Sequence, residues 1–590
     1  MVDARETETS APLPEQCASL APKSKAWVWP TLSCAVVLAC ILLANPFNEA
    51  GFCDDWSYGH VAMKLAQTGH MQYNGWGNPL ILFQTLWAVP WIRLFGFSFQ
   101  VLAASMVPIS LAFVLLVYAV GRQIGLLPPL AAFASLVIGT CPLFLVLAGT
   151  FMTDTCGCFF ALLCIYTALR SVHAEDLPAA ARWLWWLALA GLVGGANRQV
   201  VWVAPLTLIP YLCWVRRRDL RFRTHSAAAY AVCVGAILII LHFFAPPLSP
   251  MLLTHRDVTW LLQHHLGEAI TLVVSFLLMS VLLSGPALCC LLPRLWHRQP
   301  RWVFLTLFAS SVFTLVEIIL ALPLAPYGNS MLTARGPYMM AQDIFGKPVI
   351  LPIVIRVALT FLVNFCTLAV LGSVRSWSGV VLRRDRTLHV FAIFSVGYLV
   401  LILPGALTGF SFDRHLLPLI PLLVLDTLRR FSRQGRPIPA AAWLCFVLFA
   451  SYAVASTHDY FASLRARTAA AHEIEKTGIP PNHISAGFEN DAWDQVKRSD
   501  HVRVSQYQDR FVDDSAKGFW YEFWDHTPDL HPDFVVLNLE LGGSAQGAVL
   551  TMAFHAWMPP FQRLVVVWRR KDLTSVIMAA RTAASSLIWF

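Results

Sequence analysis

The chain has 590 residues, 57% of them hydrophobic and 13% charged, with a formal net charge of +9 and a mean hydropathy of +0.60. That balance lies far from soluble globular usage and indicates a polytopic membrane protein. The positive charge calls for no nucleic-acid partner, because most of it sits in short loops beside apolar runs.

Residues 1–25 are polar and lack the basic start and small-residue cleavage site of a secretory signal, so a cytoplasmic tail followed by a retained anchor is expected. Apolar runs near or above spanning length start near Trp27, Phe99, Pro128, Asp154, Trp183, Val200, Ala227, Ala269, Val303, Val349, Val390, His415 and Ala440. They predict about thirteen crossings of a hydrocarbon layer about 30 Å thick. Loops after alternate runs hold Arg122, Arg170, Arg182, the cluster at 216–223, Arg294, Arg298, Arg301, the cluster at 375–386, and Arg429, Arg430, Arg433 and Arg436. With the tail this makes about 22 basic residues on one side against about seven on the other, which marks the basic side as cytoplasmic. Both flanks of the segment Trp183–Trp214 are basic, so two short crossings are expected to meet outside near Ala196-Asn197-Arg198-Gln199.

Residues 46–97 then form a first extracytoplasmic loop, with short helices over Trp56–Gln67, ended by Thr68-Gly69, and over Pro79–Phe95, both expected at the membrane interface. After Tyr452 charge density rises and cysteine vanishes, while Phe534-Val-Val-Leu-Asn and Leu564-Val-Val-Val-Trp568 have strand composition. A 26–456 transmembrane domain and a small α/β domain over 457–590 on the extracytoplasmic face follow. The fourteen cysteines mostly lie in apolar runs and read as small core residues, Cys156 and Cys158 included.

The outward face carries Asp54 and Asp55 in Gly51-Phe-Cys-Asp-Asp-Trp-Ser-Tyr-Gly-His60, and Asp154 at the head of a crossing. Acids at a helix start can simply cap it, but one Asp meets that need. A second carboxylate at a membrane surface is costly to desolvate and points to chemistry. Asp154 could cap its helix, position a substrate or hold a metal with Asp54. Arg198 and Arg414 lie near the outer ends of crossings, where an arginine either snorkels or binds an anion; Arg335 and Lys347 are further cations on that face. His255, His264 and His265 read as solvated interfacial histidines, and Glu317 as an acid paired within a crossing.

Three stretches carry a resemblance. The acid pair followed by Tyr58, Ala62, Leu65, Gly69 and Gly77-Asn78-Pro79-Leu80 resembles the first outward loop of the GT-C glycosyltransferases. The branch is that of the dolichyl-phosphate-mannose protein mannosyltransferases, the lipid A aminoarabinose transferases and the Rgt-type lipopolysaccharide core transferases (glycosyltransferase 39 superfamily). Phe151-Met152-Thr153-Asp154-Thr155 resembles the family's Met-x-Asp element. Asp413-Arg414-His415-Leu416-Leu417-Pro418 is similar to its Arg-Tyr-Leu-Leu-Pro segment, with His415 in place of Tyr and Asp55 where Glu is common.

The resemblance covers about the first 430 residues. It implies an all-α GT-C bundle in the inner (plasma) membrane that moves a sugar from a polyprenyl-phosphate donor to a cell-envelope acceptor. It also implies Asp54 as the general base, Asp55 and Asp154 beside it, and Arg198, Arg414, Arg335 and Lys347 as candidates for the donor phosphate. Tyr58 and His415 are placed at the acceptor or in support, and a divalent metal on Asp54 and Asp154 is an open possibility. The rival class is a transporter or flippase, which would show paired halves or broken helices related by an internal repeat.

Overall fold

The computed structural model describes residues 27–76, 80–248, 266–291, 300–328, 330–334, 336, 350–374, 385–407, 412–502, 527–538, 545–570 and 572. Up to residue 248 the helices are α1 (Val28–Ala44), α2 (Asp55–Thr68), α3 (Leu82–Phe95), α4 (Phe99–Gln123), α5 (Pro128–Gly139), α6 (Pro142–Ala148), α7 (Thr153–Val172), α8 (Leu177–Gly195), α9 (Val203–Val215) and α10 (Leu220–Leu248). Next come α11 (Leu266–Leu283), α12 (Gly285–Cys289), α13 (Pro300–Ile319), α14 (Ile353–Val374), α15 (Arg386–Leu407), α16 (Ile420–Ser432), α17 (Ala440–Glu475) and α18 (Phe488–Ser499).

Local chemistry sets several helix starts. Ser98 accepts the Val101 N–H at 3.1 Å ahead of α4, and Asp176 accepts the Ala179 N–H at 2.6 Å ahead of α8. Each satisfies a donor the helix cannot pair internally. Helices α8 and α9 meet across Ala196–Trp202, where a 3-10 turn over Gln199–Trp202 reverses the chain.

Among the described residues, seven helices are long and apolar enough to cross a membrane, or eight if α5 and α6 count as one bent span; four further apolar helices are shorter. The run starting at Pro128 is therefore not a straight crossing. It bends by 70° between α5 and α6, because Cys141 precedes Pro142 and is held extended at ψ 130°. The run starting near His415 opens with a 3-10 turn (Asp413–Leu416) and continues as α16, whose 13 residues reach only about 20 Å.

The C-terminal part holds β1 (Ile484–Ser485), β2 (Phe534–Asn538), β3 (Leu550–His555) and β4 (Gln562–Arg569) in one sheet of order β1-β2-β4-β3. β1 runs parallel to β2 and the other pairs are antiparallel, with Val536 opposite Val567. Alternation sends Val536, Val565 and Val567 against Ala466, Ala470 and Ile474 of α17, while Val535, Val566 and Trp568 pack on the other face.

α17 therefore serves twice. Its first turns pack with α1, α6 and α12, and its last turns form the floor of the sheet. α18 packs on α2. All eight residues Asp55–Ala62 are buried, with α18 and the segment after it covering one side of the helix. Trp493 of α18 stacks on Phe97 at 5.4 Å and meets Phe99 edge-on at 5.0 Å. Asp500, at the end of α18, reaches Lys64 at 2.6 Å and His60 at 3.1 Å. Helix α3, in contrast, exposes Leu82, Leu86, Leu94 and Phe95, as a helix lying against lipid would.

Gln67 lies exposed in the last turn of α2. With residues 46–97 outside, a Gln67→Cys chain in intact cells should react with a membrane-impermeant maleimide well above wild type, whose thirteen described cysteines are all buried or half-buried. Reaction only after permeabilisation would invert the topology.

Candidate active site

The two acids at the head of α2 do different things, and neither side chain caps the helix. Asp55 is buried: its Oδ2 accepts the N–H of Phe52 at 3.2 Å and of Phe151 at 3.0 Å. Its Oδ1 is buried without a hydrogen-bond partner among the described residues. Burial drives its pKa well above the ordinary carboxylate value, the two N–H groups oppose this, and the nearby Asp54 and Glu489 add to it. Asp54 is half-buried, and its Oδ1 accepts the indole N–H of Trp76 at 2.9 Å. No described residue bonds its second oxygen.

Trp76 is held in place by the loop before it. Asn74 is fully buried, donates to the Ser57 carbonyl at 2.9 Å, and accepts from the Ser57 hydroxyl at 3.0 Å and the Trp76 N–H at 3.2 Å. Gly75 between them has φ +88°, and a Cβ there would lie 2.4 Å from the His501 ring and 2.7 Å from the Val502 carbonyl, so only glycine fits.

Asp154 stands in the first turn of α7, almost wholly buried, with Arg198 Nη2 2.9 Å from its Oδ1. Arg198 Nη1 also donates to the Thr153 hydroxyl at 2.9 Å. The Arg198 side chain lies along α7 where Gly157 leaves room, since a Cβ at 157 would come within 2.5 Å of its Cδ. Arg198 is thus a half-buried partner of Asp154.

The third stretch arrives from the far end of the chain. Asp413 is fully buried and accepts the N–H groups of Ser330, Met331 and Leu332 at 3.3, 2.9 and 2.8 Å, which fixes the turn that presents its neighbour. Arg414 lies over the Phe412 ring at 4.8 Å and points Nη1 at the Cys53 sulfur, 3.8 Å away, one residue before Asp54. His415 Nδ1 accepts the Phe412 N–H at 3.3 Å, and its carbonyl accepts the Tyr398 hydroxyl at 3.0 Å.

Tyr58 shows that these groups share one space. Burial raises its hydroxyl pKa well above the usual value; Asp54 raises it further, Arg414 and Arg198 lower it, and Asp154 raises it. The structure thus gathers Asp54, Asp55, Tyr58, Asp154, Arg198 and Arg414 within electrostatic reach, with His415 beside Arg414. Arg335, Lys347, Gly77-Asn78-Pro79 and His255, His264 and His265 lie outside the described residues. Glu317 accepts from the Asn364 amide at 2.8 Å between α13 and α14, away from this group.

Sequence reasoning missed Trp76, Asn74, Cys53 and Thr153. A tryptophan between two glycines just after an acid-bearing helix was the available signal for Trp76. Among the described residues no group of three or more His, Cys, Asp or Glu is arranged to hold a metal ion. Asp154 faces the Arg198 guanidinium at 2.9 Å, and neither of its oxygens makes a regular hydrogen bond among the described residues.

Because the folded-state pKa of Asp55 lies above its unfolded one, its contribution to stability is fully present below about pH 4 and is lost as pH rises through the raised value. Asp55→Asn keeps an acceptor for both N–H groups and removes the titration. The purified variant should therefore show a flatter Tm-against-pH curve than wild type above pH ~4. A Tm profile that parallels wild type would contradict the burial argument.

No family model matches the chain, and no curated protein matches it. Solved structures do. The protein O-mannosyltransferase Pmt1-Pmt2 complex of S. cerevisiae bound to its sugar donor is 17% identical with a TM-score of 0.31, over 38% of this chain and 33% of that chain. ArnT from Cupriavidus metallidurans bound to undecaprenyl phosphate is 15% identical at 0.39, over 92% of this chain and 98% of that one. The archaeal oligosaccharyltransferase AglB from Archaeoglobus fulgidus, in complex with an inhibitory peptide and a dolichol-phosphate, is 13% identical at 0.39, over 87% and 70%. This chain thus spans about a third of the Pmt chain and nearly all of ArnT. With TM-scores of at most 0.39 among these three, function is read from this chain's own residues.

Proposed function

We propose that the chain is an inverting membrane glycosyltransferase of the GT-C type, moving a sugar from a polyprenyl-phosphate donor to an extracytoplasmic cell-envelope acceptor. One observation carries the reading: a half-buried carboxylate, Asp54, has one oxygen held by Trp76 and the other unbonded, one residue from the Cys53 sulfur that Arg414 Nη1 approaches to 3.8 Å.

In this mechanism the unbonded oxygen of Asp54 takes the proton of the acceptor hydroxyl as that oxygen attacks the anomeric carbon from the face opposite the lipid phosphate. The bond from the anomeric carbon to the phosphate oxygen breaks, and the phosphate leaves with the electron pair. A phosphate monoester anion is a weak base, so it needs charge neutralisation more than a proton. Arg414 and Arg198 supply it. Arg414 reaches the sulfur of Cys53 beside Asp54, so Arg414 is assigned the larger share. Asp55 and Asp154 act as supports: one ties two loops and the other fixes Arg198. Tyr58 and His415 line the same space. The bent pair α5–α6 has no charged side chain along it, where a transporter with a broken helix would bind a polar substrate.

A strain lacking the protein should accumulate one polyprenyl-phosphate sugar among its extracted lipids, and wild type should clear it. Asp54→Asn keeps size and loses basicity, so it should fail to clear the lipid, with a loss of about 10² to 10⁴ in kcat and normal expression. Normal clearance by this variant, or a product that retains the anomeric configuration, would remove Asp54 as base.

For the arginines, Arg414→Ala should raise KM for the accumulated lipid, used as donor in purified form, more than Arg198→Ala does. KM equal to wild type in Arg414→Ala would take that residue out of the donor site.

A further inference from the structure

The catalytic role proposed for Asp54 leaves unexplained why a helix some 430 residues later closes over the first loop. Phe488, the first residue of α18, is 2% exposed and stands 5.6 Å from the Trp76 ring and 6.0 Å from Trp56, while Trp76 and Trp56 are 5.9 Å apart. The three rings form a closed aromatic triangle, and one corner donates to Asp54. Offset and edge-on ring contacts of this kind are directional and restrict rotation of each ring.

Phe488 is itself anchored. Its neighbour Glu489 is 2% exposed, accepts the Tyr460 hydroxyl at 3.1 Å and pairs with Arg467 Nη2 at 3.2 Å, both from α17. Gly487 before it has φ +100°, and a Cβ there would lie 2.5 Å from Arg467 Nη1, so the turn into α18 is moulded on that ion pair. The same unit also grips the backbone of the Trp76 loop, where the Val502 N–H donates to the Asn74 carbonyl at 2.9 Å.

We propose that Phe488 is a positioning residue for Asp54 that acts through Trp76, so that the C-terminal unit sets the geometry of the reacting carboxylate. The proposal rests on the transferase reading of Asp54. Without Phe488 the indole is free to turn, the hydrogen bond to Asp54 Oδ1 is lost for part of the time, and both oxygens of Asp54 wander. Donor binding, assigned to Arg414 and Arg198, is untouched.

The test uses the purified full chain and dicyclohexylcarbodiimide, which modifies carboxyl groups, with the extent at Asp54 read by peptide mass spectrometry. Phe488→Leu, which keeps apolar volume without the ring, and Trp76→Phe, which keeps the ring without the N–H, should each raise the rate of Asp54 modification about tenfold, the size of one lost charged hydrogen bond. The Phe488→Leu plus Trp76→Phe double variant should be no faster than Trp76→Phe alone, because the two lie on one route. With the lipid that accumulates in the deletion strain as donor, kcat should fall in both variants at constant donor KM, and Phe488→Tyr should restore it.

Additive rates in the double variant, or an unchanged Asp54 rate in a Phe488→Leu chain of normal Tm, would overturn the proposal. The transferase reading fails separately. Faster modification of Asp54 together with an Asp54→Asn chain that still clears the lipid would keep Phe488 as a positioning residue and discard the base.

Discussion

Asp55 Oδ2 accepts two backbone N–H groups that are 99 residues apart in the chain, Phe52 in the first loop and Phe151 at the head of α7. The first loop and the head of α7 are tied together by that join. It sets Asp54 on one side and the turn carrying Thr153 and Asp154 on the other, and Arg198 reaches the site by pairing with the latter two. A buried carboxyl holding two N–H donors is costly to replace, because an apolar residue would leave both donors unsatisfied in the interior. The acid pair therefore has a division of labour: the buried member fixes geometry and the half-buried member is available for chemistry.

The two arginines differ in the same way. Arg198 is a half-buried arginine whose almost wholly buried partner, Asp154, would be stranded by its loss. Its place in the site is thus inseparable from the fold of α7. Arg414 is carried on a turn fixed by Asp413, whose carboxylate is cradled by three N–H groups of residues 330–332. Here the anchor and the presented cation are adjacent in sequence, so the turn can be rigid while the guanidinium faces the site.

Charge in apolar surroundings is conspicuous, and together with the resembling motifs it makes Asp54, Asp154, Arg198 and Arg414 candidates from the sequence. The role of Asp55 was not legible there, since its partners are main-chain groups that leave no mark on the sequence. Trp76 was hidden among 22 tryptophans. The periodicity of α2 gave its length, because Thr68-Gly69 ends it with a left-handed glycine at φ +77°. The same periodicity does not say what covers the helix: an apolar stripe looks alike whether lipid or a later part of the chain lies on it. The bend at Cys141-Pro142 could have been read from the proline, and hydropathy alone smoothed it away.

Helix α17 runs unbroken from Ala440 to Glu475. From its start to Tyr460 the rise is about 30 Å, close to the thickness of the hydrocarbon layer. Tyr460 and Arg467 are two turns apart and hold Glu489, while Asp459 on another face grips the β3–β4 connection through the N–H groups of Trp557 and Met558. Both grips depend on one helical phase, which a single inserted residue would turn by about 100°. Bilayer thickness enters through the same rod. A membrane a few ångströms thicker or thinner than the apolar length is met by a change of tilt. Tilt of α17 is carried without a hinge to Glu489 and the ring beside it, so a change in acyl-chain length that tilted the helix would be felt at that ring.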